Sequence, residues 1–154
     1  MSQQQEFLTF RLGSEYYAVD ILRVQEIRGW QAPSPLPNVP FFVKGAIDLR
    51  GLVVPIVDLR ERFALNADYR STTVVIVVHV LTPEGERVIG LVVDEVSDVQ
   101  CFDLDALQAA PDISEGVHSS FILGLATTQQ NAQAKMVIIL ALDRLINEGV
   151  MQAL

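Results

Sequence analysis

The sequence predicts an all-β protein: two small five-stranded barrels packed together, with a few short helices. Three observations lead there. The apolar segments are short, rich in Val and Ile, and bounded by turn residues. Several alternate apolar with polar residues, the period of a half-buried strand. The order of these segments in the first half of the chain also returns in the second, and closing each set into a barrel removes the exposed edges of an open sheet.

Taken in order, Phe7–Leu12 alternates, placing Leu8, Phe10 and Leu12 on one face and Thr9 and Arg11 on the other. Gly13-Ser14 turns the chain, and Tyr16–Val19 returns as the hairpin partner. Pro33, Pro35, Pro37 and Pro40 crowd a segment that neither a ladder nor a helix tolerates, so it reads as an extended surface connection. Val43–Arg50 alternates again and Gly51 ends it. Leu52–Val57 follows, carrying Pro55, which lacks a ladder donor and reads as an edge or bulge position. Asp58 with Glu61 reads as a capping box that opens a helical turn through Phe63. Val74–Leu81 and Arg87–Val93 flank a turn at Pro83-Glu84-Gly85. After a break from Asp103 to Gly116, Phe121–Ala126 and Met136–Leu142 are the last strands, and Asp143 starts a short helix over Arg144–Glu148.

The duplication rests on matched landmarks. Leu22–Ile27 and Glu95–Val99 each follow a hairpin and an aspartate, Asp20 or Asp94. Each leads to a glycine-bearing strand, Gly45-Ala46-Ile47 or Gly124-Leu125-Ala126, and then to an apolar strand running into Asp58 or Asp143. The expected organisation is one domain over 1–154, with barrel-forming halves at about 6–66 and 72–150 and exchange of strands between them left open.

Composition excludes several function classes. Half of the residues are hydrophobic, which argues against disorder. The net charge of −8, from 19 acidic and 11 basic residues with no basic stripe, argues against nucleic acid and against an anionic membrane surface. Nine Arg against two Lys lean towards protein interfaces, where the planar guanidinium makes fixed contacts. The single Cys101 excludes an intramolecular disulfide and reads as a buried or half-buried small apolar residue. Met1–Glu6 is polar, unlike a signal peptide, and Val74–Val78 and Met136–Leu142 fall far short of the ~20 residues of a spanning helix. These readings predict a cytoplasmic protein with no direct membrane insertion.

No constellation for catalysis emerges. His118-Ser119-Ser120 has no orienting partner in sequence, and His79, within Val77–Val80, reads as a strand-face or core histidine. His79, Cys101 and His118 lack metal-ligand spacing. Asp103-Leu104-Asp105 lacks the glycine and glutamate of a calcium loop and reads as the acidic first turn of a short helix. Glycine-rich nucleotide loops are missing as well. The expectation is no catalytic residue, no metal and no cofactor. What remains suits docking. Arg50 closes a strand beside Gly51, aimed either at a partner carboxylate or at Asp48 within the chain; Val24 and Glu26 form a plausible sheet rim, with core packing the leading reading of Val24.

From Phe42 to Arg60, Phe-Val-Lys-Gly-Ala-Ile-Asp-Leu-Arg-Gly-Leu-Val-Val-Pro-Ile-Val-Asp-Leu-Arg, the chain strongly resembles the CheW family of chemotaxis coupling proteins. Three further stretches agree: Phe7–Leu12, Tyr17–Gly29 and Gly90–Val99. The resemblance implies that the barrels are SH3-like. It also implies a non-enzymatic adaptor that joins the cytoplasmic tip of a chemoreceptor to the regulatory domain of a CheA-type histidine kinase, recruited to membrane-associated arrays. It implies receptor-facing roles for Val24, Glu26, Gly45 and Arg50, with Asp48, where the family commonly has Asn, either holding the Arg50 guanidinium inward or altering which tip is accepted. For the kinase it implies only regions, represented by Gly90, Val99, Gly124 and Ala126. The same coupling in a pilus-based pathway, or a small-molecule regulatory β module, are the alternatives.

Overall fold

A computed structural model describes residues 4–109, 121–130 and 133–150. The strands are β1 (Gln4–Leu12), β2 (Glu15–Asp20), β3 (Val24–Gly29), β4 (Val43–Leu49), β5 (Leu52–Asp58), β6 (Val74–Thr82), β7 (Gly85–Val93), β8 (Glu95–Asp103), β9 (Ile122–Gln130) and β10 (Gln133–Leu140). Two short helices, α1 (Leu59–Arg62) and α2 (Leu142–Gly149), follow β5 and β10. Single 3-10 turns, Ile21–Arg23 and Leu104–Ala106, follow β2 and β8.

The strands form two five-stranded sheets, ordered β8-β1-β2-β10-β9 and β3-β6-β7-β5-β4. Moving every strand five places along the chain converts one order into the other, which is the internal duplication in three dimensions. Each sheet joins the first hairpin of one half to the last three strands of the other, so the strands are exchanged. Each sheet has one antiparallel join, β1 with β8 or β3 with β6, and one parallel join, β2 with β10 or β5 with β7.

Both sheets curl until their edges face each other across a cleft. In the first, barrel A, residues of β8 and β9 line one cleft, and Gln108 bridges to Leu125 of β9. In the second, barrel B, β3 and β4 line one groove, and Ser34 bridges to Ala46 of β4. Alternation supplies three cores. Phe7, Phe102, Val137 and Ile139 fill barrel A, while Leu49, Val54, Ile56, Val75 and Val92 fill barrel B. The opposite faces of β1, β2, β6 and β7 pack together between the barrels through Phe10, Tyr17, Ile76, Val78 and Leu91, with Leu145 and Ile146 of α2 added. Buried there, the Tyr17 phenol is pushed up to about 12, first by burial and then by Glu15.

Three details depart from the sequence reading. Pro55 lies within an interior strand, opposite Ala46. It is tolerated because Ala46 turns both its N–H and its carbonyl to Ser34, and pairing with β7 begins only at Ile56. Helix α2 starts at Leu142 and has no side-chain cap; Asp143 lies inside it, accepting from Leu81 N–H at 2.9 Å and pairing with both amino groups of Arg23. Cys101 is exposed, on the outer face of edge strand β8, 3.2 Å from Gln4 Oε1. Asp58 does cap α1, accepting from Arg60 N–H at 3.0 Å. His118 lies outside the described residues.

Candidate functional site

Barrel B gathers the expected receptor-facing residues from three elements. Val24 and Glu26 stand on edge strand β3, Gly45 and Asp48 on the opposite edge β4, and Arg50 in the turn to β5. Arg50 has φ +51°, the left-handed region that costs a residue with a Cβ about 1–2 kcal/mol. That turn swings its side chain out of the alternation of β4. Its Nη2 donates across the barrel seam to Glu26 Oε1 at 3.3 Å, with 69 % of the Arg50 side chain exposed. Asp48 is not its partner: Asp48 Oδ1 accepts the Gly51 N–H at 2.8 Å, which stabilises the turn. Arg28 lies 3.9 Å from the same Glu26 oxygen. Val24 is half-buried against the core between the barrels. The result is an acid flanked by two guanidiniums, presented at the rim of a barrel.

Gly45 is buried, with φ +141°. A Cβ there would overlap the Ser34 carbonyl and lie 3.2 Å from Pro35 Cα. Ser34 donates to the Ala46 carbonyl at 3.0 Å and accepts from Ala46 N–H at 2.9 Å, so the proline-rich segment is fastened to the edge of β4. Fastened there, Gln31–Ser34 faces Arg28 and Gly29 across a groove of about 250 Å³, whose other wall is Ala46–Asp48.

The four residues standing for the kinase regions are scattered. Gly90 is buried in barrel B, where a Cβ would meet Ile56 Cδ1 at 2.6 Å and Val75 Cγ1 at 2.8 Å. Val99 is 47 % exposed on β8, at one edge of barrel A. Gly124 and Ala126 lie on β9 at the other edge, both buried, with Ala126 packed among Phe7, Phe102 and Val137. Among the four, only Val99 offers an exposed side chain.

A CheW-like domain model matches residues 6–150. The chain belongs to the CheW-like family. It is 40 % identical over 144 residues to the chemotaxis protein CheW of Klebsiella aerogenes, covering 93 % of this chain and 82 % of that one. Over 138 residues it is 36 % identical to the chemotaxis protein CheW of Rhizobium meliloti, 90 % of this chain and 84 % of the relative. The crystal structure of the scaffolding protein TtCheW from Thermoanaerobacter tengcongensis superposes with a TM-score of 0.79 at 28 % identity, covering 97 % of this chain and 94 % of that one. Function follows family here: the chain is a chemotaxis coupling adaptor.

A buried polar network of this CheW-like chain escaped the sequence reading. Arg60 is wholly buried, its side chain held by Asp58 through Nε and Nη2 at 2.9 Å each and by Asp94 through Nη1 at 2.8 Å. Tyr69 donates to Asp58 Oδ2 at 2.9 Å and stacks on Trp30 with ring centroids 4.3 Å apart. Burial lowers the proton affinity of Arg60, but the bonds to Asp58 and Asp94 outweigh it and raise it further. Tyr69 is raised above the ordinary tyrosine range by burial and then by the charge of Asp58. Asp94 sits between β7 and β8, where the chain crosses from barrel B to barrel A, and also accepts the Gly13 N–H of the β1–β2 turn. At the equivalent crossing after β2, Arg23 bonds Asp143 of α2 at 2.8 and 3.1 Å. Each crossing is thus tied to the helix that follows a fifth strand, with the charges reversed. Asp58 and Asp143, read as helix starts, and Asp94, read as a landmark of the duplication, marked these positions, but nothing in the sequence reading joined them to Arg60 and Arg23. Among the described residues no group of His, Cys, Asp or Glu is placed to hold a metal ion, and no helix is long and apolar enough to cross a membrane.

Proposed function

We propose that the chain couples the cytoplasmic tip of a chemoreceptor to the regulatory domain of a CheA-type histidine kinase, in the cytoplasm at membrane-associated receptor arrays. The observation that carries this is the Glu26–Arg50 pair, which spans both edges of the barrel B sheet at 3.3 Å with Arg28 beside it. The receptor docks there, with Arg50 and Arg28 reaching its polar groups around the central Glu26. The kinase engages a separate surface that includes the exposed edge strand β8 near Val99, so both partners bind at once. No bond is made or broken. Output changes because the adaptor binds the kinase with different affinity in its two signalling states, since equal affinity would shift nothing.

Co-purification tests this directly. The chain, a receptor cytoplasmic fragment and a CheA-type kinase should form a ternary complex, and kinase activity in it should depend on the receptor. Receptor binding that excludes kinase binding would refute the two-surface reading. A pilus-based version of the same coupling draws support from the protein PilI of Pseudomonas aeruginosa, 28 % identical over 123 residues. Reconstitution with receptors of each pathway separates the two.

A further inference from the structure

The groove beside the Glu26–Arg50 pair is held open by contacts that make no use of a partner. Its outer wall, Gln31–Ser34, is fastened to β4 by the two backbone bonds between Ser34 and Ala46. Those bonds require the Ser34 carbonyl to lie where a Cβ on residue 45 would be. Gly45 itself is buried beneath that wall, with no side chain to offer.

Barrel A repeats the device. Gln108 donates to the Leu125 carbonyl at 3.0 Å and accepts from Leu125 N–H at 2.8 Å. The residue before Leu125 is again a glycine, Gly124, where a Cβ would lie 2.7 Å from Leu107 Cβ and 3.0 Å from the Gln108 carbonyl. Two barrels with different sequences use the same glycine under the same one-residue bridge. The glycine therefore answers to barrel closure, and any effect on a partner passes through the segment it seats.

We infer that Gly45 is a positioning residue for receptor binding: it seats the proline-rich segment on β4, and the seated stretch Gln31–Ser34 is itself a partner-facing wall of the receptor groove. This rests on the receptor site being on barrel B. It adds that Gln31 and Ala32, both exposed, help to decide which receptor is accepted.

The test is binding of a soluble receptor cytoplasmic fragment to the full chain and its variants, with amide exchange at Ser34 and Ala46 followed in parallel. Gly45→Ala should weaken binding about tenfold or more and speed exchange at Ala46. Ser34→Pro removes one bridge donor without touching β4 and should do the same. The double variant should be no worse than the weaker single one, because both act through one segment. Ala32→Trp keeps the bridge, so it should weaken receptor binding while exchange at Ala46 stays that of the parent chain. Additive losses from Gly45→Ala and Ser34→Pro, or unchanged binding by Ala32→Trp, overturn the inference. Should Gly45→Ala fail to fold, Ala32→Trp still decides it. Loss of binding on Arg50→Gly with none on Ala32→Trp discards only the wall. Loss on neither discards the receptor site itself.

Discussion

Replacing Arg50 by glycine separates what this residue does for the fold from what it does for binding. At φ +51° the arginine carries about 1–2 kcal/mol of backbone strain, which glycine does not. Against that, glycine loses roughly 0.5–1 kcal/mol more conformational entropy on folding. The ion pair with Glu26, 69 % exposed on the Arg50 side, contributes at most about 1 kcal/mol. The three nearly cancel, so Arg50→Gly should unfold in urea within about 1 kcal/mol of the parent chain. Arg50→Ala removes the same guanidinium but keeps the left-handed strain, so it should be less stable than the glycine variant by about 1 kcal/mol. Binding follows a different rule. A central interface arginine typically contributes about 2 kcal/mol or more, so both variants should bind a receptor fragment about 30-fold more weakly, by titration calorimetry. Equal loss of binding with unequal stability is the expected signature. A folded Arg50→Gly protein that binds like the parent chain would refute the argument, as would a loss of stability beyond about 2 kcal/mol.

Three further outcomes follow from the buried and exposed groups. Asp58→Ala leaves Arg60 wholly buried with one carboxylate fewer and should cost about 3–5 kcal/mol in urea unfolding, while Asp58→Leu combined with Arg60→Met should recover much of it; a loss under about 1 kcal/mol for the single change would contradict the network. Burial holds Tyr17 and Tyr69 above the ordinary tyrosine range, so the folded chain resists their ionisation; stability is intact below about pH 10 and falls as pH rises beyond it, and near-ultraviolet absorbance should show two tyrosines ionising late. Cys101 should react with a thiol reagent in the folded protein, and Cys101→Ser should leave stability within about 0.5 kcal/mol; protection until unfolding would put the thiol elsewhere.

The strands were legible because alternation is local. Leu8, Phe10 and Leu12 announce a buried face without reference to the rest of the chain. The duplication was legible because its aspartates and glycines hold position in both halves. The hairpin of β1 with β2 was legible from its turn, but partners distant in the chain were not, since nothing near Val137 in sequence says that it lies parallel to Tyr16. Pro55 misled for the same reason: its tolerance depends on Ala46 being bonded to Ser34, a contact the strand pattern does not carry. Arg60, in Leu59-Arg60-Glu61-Arg62, looks like any exposed helical arginine until Asp94 closes over it. Arg50, Val24 and Glu26 were legible as docking candidates, and the expectation that they face a receptor came through family resemblance. The meeting of Glu26 and Arg50 across the seam is a property of the curled sheet alone, as is the position of the proline-rich segment along the groove.

The exchange of strands has a consequence for how the chain is made. Barrel B needs β3 to β7 and can close once the ribosome has released residues 24–93. Barrel A begins with β1 and β2, the first strands to emerge, yet its edges and its parallel join come from β8 to β10, the last. The nascent chain therefore carries a hairpin whose barrel A face, Phe7 and Ala18, stays uncovered until β8 to β10 emerge, while Phe10 and Tyr17 on its other face can already pack against β6 and β7. Truncation before β8 removes not a tail but the rest of barrel A, and should leave an aggregation-prone fragment rather than a working half.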